Sequence, residues 1–127
     1  MSGKIPRLRG GRYVQAYPEV LDSPESKALS KVAQLLLFRL TVKCDPHSRN
    51  GRIAYSVRQA AEECRVREKT ASAAFDELQD AGFIDLAMVY PRNERKAREW
   101  RLTFFPSPNG KQPTDDWKGW HTNNFEA

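Results

Sequence analysis

The chain has 127 residues, of which 39% are hydrophobic and 29% charged, and its formal net charge is +5 at pH 7. This length supports one domain with one modest core, and the composition is typical of a globular protein rather than a disordered one. Because no apolar run approaches the roughly 20 residues that span a bilayer, and the basic start MSGKIPRLRGGR lacks the apolar part of a secretory signal, we expect a cytoplasmic protein with no membrane partner.

The first segment, residues 1–12, is basic and contains no acidic residue. With a glycine pair and few branched apolar side chains, it is predicted to be a flexible arm. Such arms can enter the minor groove of DNA, so Arg7, Arg9 and Arg12 are candidate contacts. A basic tail that only meets solvent is the alternative interpretation.

Two helices are predicted next. Asp22 or Ser23 is suited to cap a short helix with Pro24 in its first turn, and Ser30 is suited to cap a second helix. In the segment KVAQLLLFRLTVK after Ser30, helical spacing predicts an apolar face made of Val32, Leu35, Leu36 and Leu40.

A pair of short helices is predicted after a loop with an Asn50-Gly51 turn and a short strand, RIAY. Ser56 is suited to cap the first helix, Arg65 to Glu68 form the turn, and Gly82 can take the left-handed conformation that ends the second helix. The buried stripes predicted for the two helices are Val57, Ala60, Ala61 and Cys64, then Ala71, Ala74, Phe75 and Leu78.

Two strands, FIDLAMVY and EWRLTFF, follow the helix pair and are joined by the charged link PRNERKAR. The order helix, turn, helix, strand, wing, strand predicts an α+β winged helix-turn-helix, mainly helical with a small antiparallel β-wing. We assign it to residues 13–105. Because residues 106–127 contain Trp117, Trp120 and Phe125, we expect part of this segment to strap back onto the domain.

The segments YVQAY, LDSPESKALSKVAQLLL, NGRIAYSVRQAAEECRV, ELQDAGFI and EWRLTFF together resemble a family of winged helix-turn-helix proteins carried by bacterial phages and integrative elements. That family is similar to the N-terminal domains of plasmid and phage replication initiators. The tail GKQPTDDWKGW also resembles the family's ending. The resemblance implies a DNA-binding protein that acts in transcriptional regulation or in assembling a replication or recombination complex.

The chain departs from the family pattern in the turn and on the reading face. Arg65 stands where the pattern usually has glycine, so a looser or differently shaped turn is expected. The family often places arginines where Ala73 and Asp76 stand here. The outward face of the second helix then has Lys69 as its basic residue and ends in Asp76 and Asp80.

Two sets of residues are candidate contacts with double-stranded DNA. If the second helix enters the major groove, its outward residues near the N-terminus approach base edges, whereas arginines beside the turn and on the wing approach phosphates. The alternative is that both sets are solvated surface. The candidate base-reading residues are Lys69, Thr70, Ser72, Ala73 and Asp76, beside Glu68. The candidate phosphate-binding residues are Arg52, Arg58, Arg67, Arg92, Arg95, Lys96 and Arg98.

A protein-interaction module is the alternative function. Residues 56–82 sum to −2, so the helix pair itself is acidic and could bind a host factor or a nucleic-acid machine that it inhibits.

No catalytic motif, cofactor motif or small-molecule substrate site is visible, and we expect no enzyme and no cofactor. No metal is expected either, because the spacing of Cys44, His47, Cys64 and His121 is not that of a zinc site. A DNA reader of this size is expected to act as a homodimer or array, associated with the nucleoid.

Overall fold

The structure, a computed structural model, describes residues 14, 16–44, 50–106 and 112–119. Within these ranges the predicted α+β class is confirmed, with five α-helices, one short 3-10 turn and a three-stranded antiparallel sheet. The elements in chain order are α1 (Pro18–Leu21), α2 (Pro24–Lys27), α3 (Lys31–Lys43), β1 (Ile53–Ala54), α4 (Val57–Cys64), α5 (Glu68–Asp80), β2 (Ile84–Met88), the 3-10 turn (Arg92–Glu94) and β3 (Glu99–Leu102).

Serine side chains start three of the helices, as the sequence predicts. The Ser30 hydroxyl accepts a hydrogen bond from the Ala33 N–H at 3.1 Å, and Ser23 caps α2 in the same way. At α4 the bonds are reciprocal: the Ser56 hydroxyl accepts from the Gln59 N–H, and the Gln59 side chain accepts from the Ser56 N–H, both at 3.0 Å. Each cap satisfies a helix-end N–H that would otherwise lack a partner, a contribution of about 1 kcal/mol.

The buried face of α3 differs from the prediction. Leu36 and Leu40 are buried as expected, but Val32 is only partly buried and Leu35 is 38% exposed. The helix packs against both α4 and α5, and its buried positions are Ala33, Leu36, Leu37 and Leu40. Since α3 is apolar on two sides, helical spacing alone could not decide which side faces the core.

The sheet has the order β1-β3-β2, so β3 is the central strand. Trp100 in β3 is paired with Ile53 of β1 and Leu86 of β2, and a bulge at Ala87 interrupts the β2 ladder before Met88. The predicted strand EWRLTFF ends at Leu102, because the next three residues turn away from the sheet.

Aromatic rings fill the core between the helices and the sheet. The Phe75 ring of α5 stacks on Trp100 at 4.8 Å between centroids, and Tyr55 meets Phe75 edge-on. The Trp100 indole N–H donates to the Tyr55 carbonyl at 2.9 Å, so its polar atom is satisfied inside the core. These contacts hold the central strand β3 against α5.

Residues 112–119 form a strap across the far end of the sheet. The Asp115 N–H donates to the Thr103 carbonyl at 2.9 Å, and the Trp117 ring stacks on Phe83 at 5.7 Å. At the end of the strap the Gly119 N–H donates to the buried Glu25 carboxylate at 3.0 Å. The strap thus connects α2 to the sheet.

Some sequence predictions lie outside the described residues. They include the arm residues Arg7, Arg9 and Arg12 and the tail aromatics Trp120 and Phe125. Within the part of the chain that the structure describes, none of the helices combines the length and hydropathy needed to cross a membrane.

Candidate nucleic-acid interface

The turn between α4 and α5 has a left-handed residue at its centre. Arg65 has φ 59° and ψ 47°, and the Val66 N–H donates to the Ala61 carbonyl at 3.0 Å. The expectation of a looser or differently shaped turn is therefore wrong, because Arg65 adopts the left-handed backbone conformation that glycine adopts without strain. For a residue with a Cβ this conformation costs about 1–2 kcal/mol.

The rotation of α5 is fixed by its buried side and by one carboxylate. Ala71, Ala74, Phe75 and Leu78 are buried, as predicted. Glu77 accepts two hydrogen bonds from the N-cap residue of α3, from the Ser30 N–H and the Ser30 hydroxyl, both at 2.7 Å. This role of Glu77 was not predicted. The sequence shows only that Glu77 lies between the buried and outward faces of the helix, which does not identify Ser30 as its partner.

The outward face of α5 carries most of the predicted base-reading residues. Lys69, Thr70, Ala73 and Asp76 are exposed, and Ser72 is half-buried. Helical spacing places Lys69, Ala73 and Asp76 on one side, followed by exposed Asp80. This side has a cation at its N-terminal end and carboxylates at its C-terminal end.

Basic residues surround the start of α5. Arg67 is its N-cap, is exposed, and makes no side-chain cap bond to the helix. Exposed Arg65 precedes it and exposed Lys69 follows it, with Glu68 between them in the first turn. The free N–H groups of a helix start favour anions, so this end of α5 is the more electropositive one.

Two further predicted phosphate contacts are exposed near the helix pair. Arg52 precedes β1, and Arg58 lies on the first turn of α4. The Arg58 side chain is 81% exposed and lies 3.8 Å from the Glu62 carboxylate, which is 72% exposed. An ion pair in water at this exposure contributes about 0–1 kcal/mol, so it does not prevent Arg58 from binding another anion.

The link between β2 and β3, residues 89–98, contains the predicted wing cations. Arg95 is exposed and has φ 51°, and exposed Lys96 places its ammonium 5.1 Å from the centre of the Tyr90 ring. Arg98 is half-buried, with its guanidinium 5.7 Å from the centre of the Trp100 ring. Arg92 opens the 3-10 turn. Arg95 and Lys96 are thus the two exposed cations described in the link.

Arg101, which was not predicted as a site residue, is already paired within the fold. It forms an ion pair with Asp85 across the β2–β3 ladder and donates to the Thr114 hydroxyl of the strap at 3.0 Å. Its guanidinium also lies 3.9 Å from the Asp116 carboxylate. This arginine holds the sheet to the strap and adds little to the free positive surface.

A group of polar side chains joins the ends of α3 and α4. The Tyr55 hydroxyl donates to Glu63 at 2.7 Å, and Lys43 donates to the other carboxylate oxygen at 3.3 Å. Burial and the hydrogen bond to Glu63 raise the pKa of Tyr55 well above its usual range. Burial alone raises the pKa of Glu63, but the hydrogen bonds from Tyr55 and Lys43 outweigh it, and the pKa is lowered.

The two cysteines are buried thiols and form no disulfide with each other. Cys44 follows α3 and Cys64 ends α4, and burial raises the pKa of the Cys64 thiol, which makes it less reactive. Among the residues with described positions, no three histidine, cysteine or acidic side chains are grouped as metal ligands. His47 and His121 lie outside the described ranges.

Comparison of the chain with protein-family models, with curated proteins and with solved structures finds no match in any of the three.

Proposed function

We propose that this chain is a winged helix-turn-helix protein that binds double-stranded DNA, with α4 and α5 as the helix pair and the β2–β3 link as the wing. In keeping with the resemblance, its role is regulation of transcription or assembly of a replication or recombination complex of a phage or mobile element. The observation that carries the proposal is the outward side of α5, which is solvent-exposed and bordered by exposed basic residues.

The proposed mechanism assigns base reading to the N-terminal half of α5. With α5 in a major groove, Lys69 donates to a guanine, Thr70 and Ser72 bond to phosphates or bases, and Ala73 contacts a thymine methyl group. Asp76 accepts from a cytosine amino group. Asp80 lies about one turn beyond Asp76 on the same side, at the acidic C-terminal end of α5.

The proposed contacts with the DNA phosphates lie outside α5. Arg52 precedes the helix pair, Arg58 lies on α4 and Arg67 lies in the turn. Arg95 and Lys96 extend from the link, and all five side chains are exposed. Each phosphate neutralised releases counterions, so binding falls as salt rises. Residues 56–82 sum to −2 with Arg58 and Arg67 counted, so most of the net attraction comes from cations outside that range, such as Arg52, Arg95 and Lys96.

The primary experiment is selection of bound sequences from a random pool of duplex DNA. If the chain reads DNA sequence, the selected duplexes are enriched in one sequence motif. Two half-sites at a fixed spacing in that motif indicate two bound copies. Lys69→Ala is expected to relax the preference at one position of that motif, since a good side chain–base pair discriminates by about 1–3 kcal/mol. Absence of duplex binding at low salt overturns the proposal.

The wing contact is tested by the salt dependence of binding. Replacing Arg95 and Lys96 together with glutamine is expected to reduce the log–log slope by about 0.9 for each phosphate that is no longer neutralised. Arg98 is left in place, because it packs over Trp100 and its removal would disturb the core. Lys27→Gln is the control: it removes an exposed cation on α2 that has no part in the proposed interface, and the slope should not change.

An interaction module for another protein is the second candidate function. The observation that favours it is the pair of exposed carboxylates, Asp76 and Asp80, on the side of α5 that would otherwise meet DNA. In that case Asp76→Asn together with Asp80→Asn abolishes binding to a basic protein partner. In a DNA reader the same substitutions leave duplex binding in place: Asp80→Asn removes a repulsive charge, and Asp76→Asn changes the preference at the cytosine position.

A further inference from the structure

A tyrosine closes the base of the wing. Tyr90 is the second residue after β2, and its hydroxyl donates at 2.6 Å to the carboxylate of Glu99, the first residue of β3. Glu99 is paired with Ala54 on one side and Met88 on the other, so its backbone is held in the middle of the sheet. The hydrogen bond therefore ties both ends of residues 91–98 to the sheet. We name the pair of Tyr90 and Glu99 the wing latch.

Two of the proposed phosphate contacts lie beside the wing latch. The Lys96 ammonium is 5.1 Å from the centre of the Tyr90 ring, within the range of a cation–π contact. Arg52 lies two residues before Ala54, the partner of Glu99, so the alternation of the strand directs Arg52 to the same face of the sheet as Glu99. The hydrogen bond to Glu99 raises the pKa of Tyr90 and the charge of Arg52 opposes that rise, which also indicates that Arg52 is near. Both cations are exposed and remain open to an anion.

We propose that Tyr90 is a positioning residue of the wing, which holds the loop of residues 91–98 on the sheet and Lys96 on its ring before DNA binds. The inference rests on the proposed function and adds to it how the wing is ordered. Ordering a loop during binding costs conformational entropy, which a loop ordered in advance avoids. The apparent affinity for DNA therefore falls in proportion to the fraction of chains in which the latch is closed.

The count of hydrogen-bond donors argues against a direct contact between Tyr90 and DNA. A phenol has one O–H donor, and that of Tyr90 is given to Glu99, whereas a phosphate oxygen needs a donor. The Glu99 carboxylate would also repel a phosphate placed close to this hydroxyl. The Tyr90 ring is half-buried and lies outside the aromatic pairs that Phe75 forms in the core, so core packing does not account for it either. Its contacts are those that hold the loop and Lys96.

Trypsin cleavage of the full chain tests the wing latch without DNA. Trypsin cuts after lysine and arginine, and cleavage of a native loop follows the fraction of chains in which the loop is open. Tyr90→Phe keeps the ring beside Lys96 and removes only the hydroxyl. Cuts after Arg95 and Lys96, located by mass spectrometry, are therefore expected to appear about three- to tenfold faster. Glu99→Gln is the conservative variant: its amide oxygen still accepts from the Tyr90 hydroxyl, so its rate is expected to stay within about twofold of the wild type.

Thr114→Val is the matched control for the loss of a hydroxyl. It removes a hydroxyl that accepts from Arg101 at 3.0 Å, on the strap and outside the wing, so the cleavage rate of the wing should not change. A wing that is cut at the wild-type rate in Tyr90→Phe, or equally fast in Tyr90→Phe and Thr114→Val, overturns the inference.

Duplex binding separates positioning from direct contact. With a random-sequence duplex at low salt, Tyr90→Phe is expected to weaken binding about three- to tenfold in the otherwise wild-type chain. In the Arg95→Gln, Lys96→Gln background the same change is expected to cost less than about twofold, because the cations that the latch positions are gone. Equal losses in both backgrounds show that the hydroxyl acts without the wing cations, and they overturn the inference. A wild type that binds no duplex overturns the proposed function instead, and the cleavage rates still show whether Tyr90 holds the wing.

Discussion

Replacing Gly82 with alanine tests whether the strap is pressed against the end of α5. Gly82 has φ +84°, and a Cβ added there would lie 2.5 Å from the Asp116 carbonyl oxygen and 2.9 Å from the Trp117 nitrogen. These are backbone atoms, which no side-chain rotation can move aside. The strap must therefore shift to accommodate the methyl group.

Gly51 provides the comparison that isolates this contact. Its φ is +93°, but a Cβ added there has nothing within 4 Å. Gly51→Ala therefore incurs only the backbone strain, a net loss of about 1 kcal/mol in the free energy of unfolding. Gly82→Ala incurs the same strain and also displaces the strap, whose buried Trp117 is worth about 3–5 kcal/mol in a change to alanine. We expect a total loss of about 2–5 kcal/mol.

Urea unfolding of both glycine variants measures the difference. Losses that agree within about 0.5 kcal/mol would refute the close contact between Gly82 and the strap. A second test repeats Gly82→Ala in a Trp117→Ala background. There the strap has already lost its anchor, so the effect of Gly82→Ala should fall toward that of Gly51→Ala.

Two further predictions concern the helix pair. Arg65→Gly should raise the free energy of unfolding by about 0.5–1 kcal/mol in urea, because glycine relieves the left-handed strain but loses more chain entropy on folding. The pH dependence of stability should reflect the Tyr55–Glu63 pair. With its pKa raised, Tyr55 contributes stability that is present below about pH 10 and is lost above it, so Tyr55→Phe should flatten the alkaline decline. With its pKa lowered, Glu63 contributes stability that is lost as acid protonates it, so Glu63→Gln should flatten the acid decline; unchanged profiles contradict the assignment.

Local signals predicted the parts of the fold that depend on neighbours in sequence. A serine cap acts on an N–H three residues away, and the buried side of α5 follows from its own spacing, so Ser30, Ser56 and Phe75 could be placed from sequence. The turn at Gly51 followed from the same kind of signal. Such interactions close within one helical turn and need no knowledge of the rest of the chain.

Interactions between distant residues could not be placed in this way. Asn50 was predicted as a turn residue, but it is buried, and its amide donates to the Leu102 and Phe105 carbonyls while accepting from the Leu102 N–H. The bonds between Glu77 and Ser30 likewise join positions 47 residues apart. These roles depend on where α3 and the end of β3 lie in space, which no local pattern of residues encodes.

The bulge at Ala87 has a consequence for solubility. In the described sheet β2 is an outer strand, and Leu86, Met88 and Val89 are all exposed along it. A straight apolar edge of this kind is a template on which strands of other molecules can add and aggregate. The bulge breaks the regular alternation of hydrogen-bonding groups and twists the strand, so an incoming straight strand cannot pair along its whole length. One irregular residue thus makes this apolar edge a poorer template for strands of other molecules.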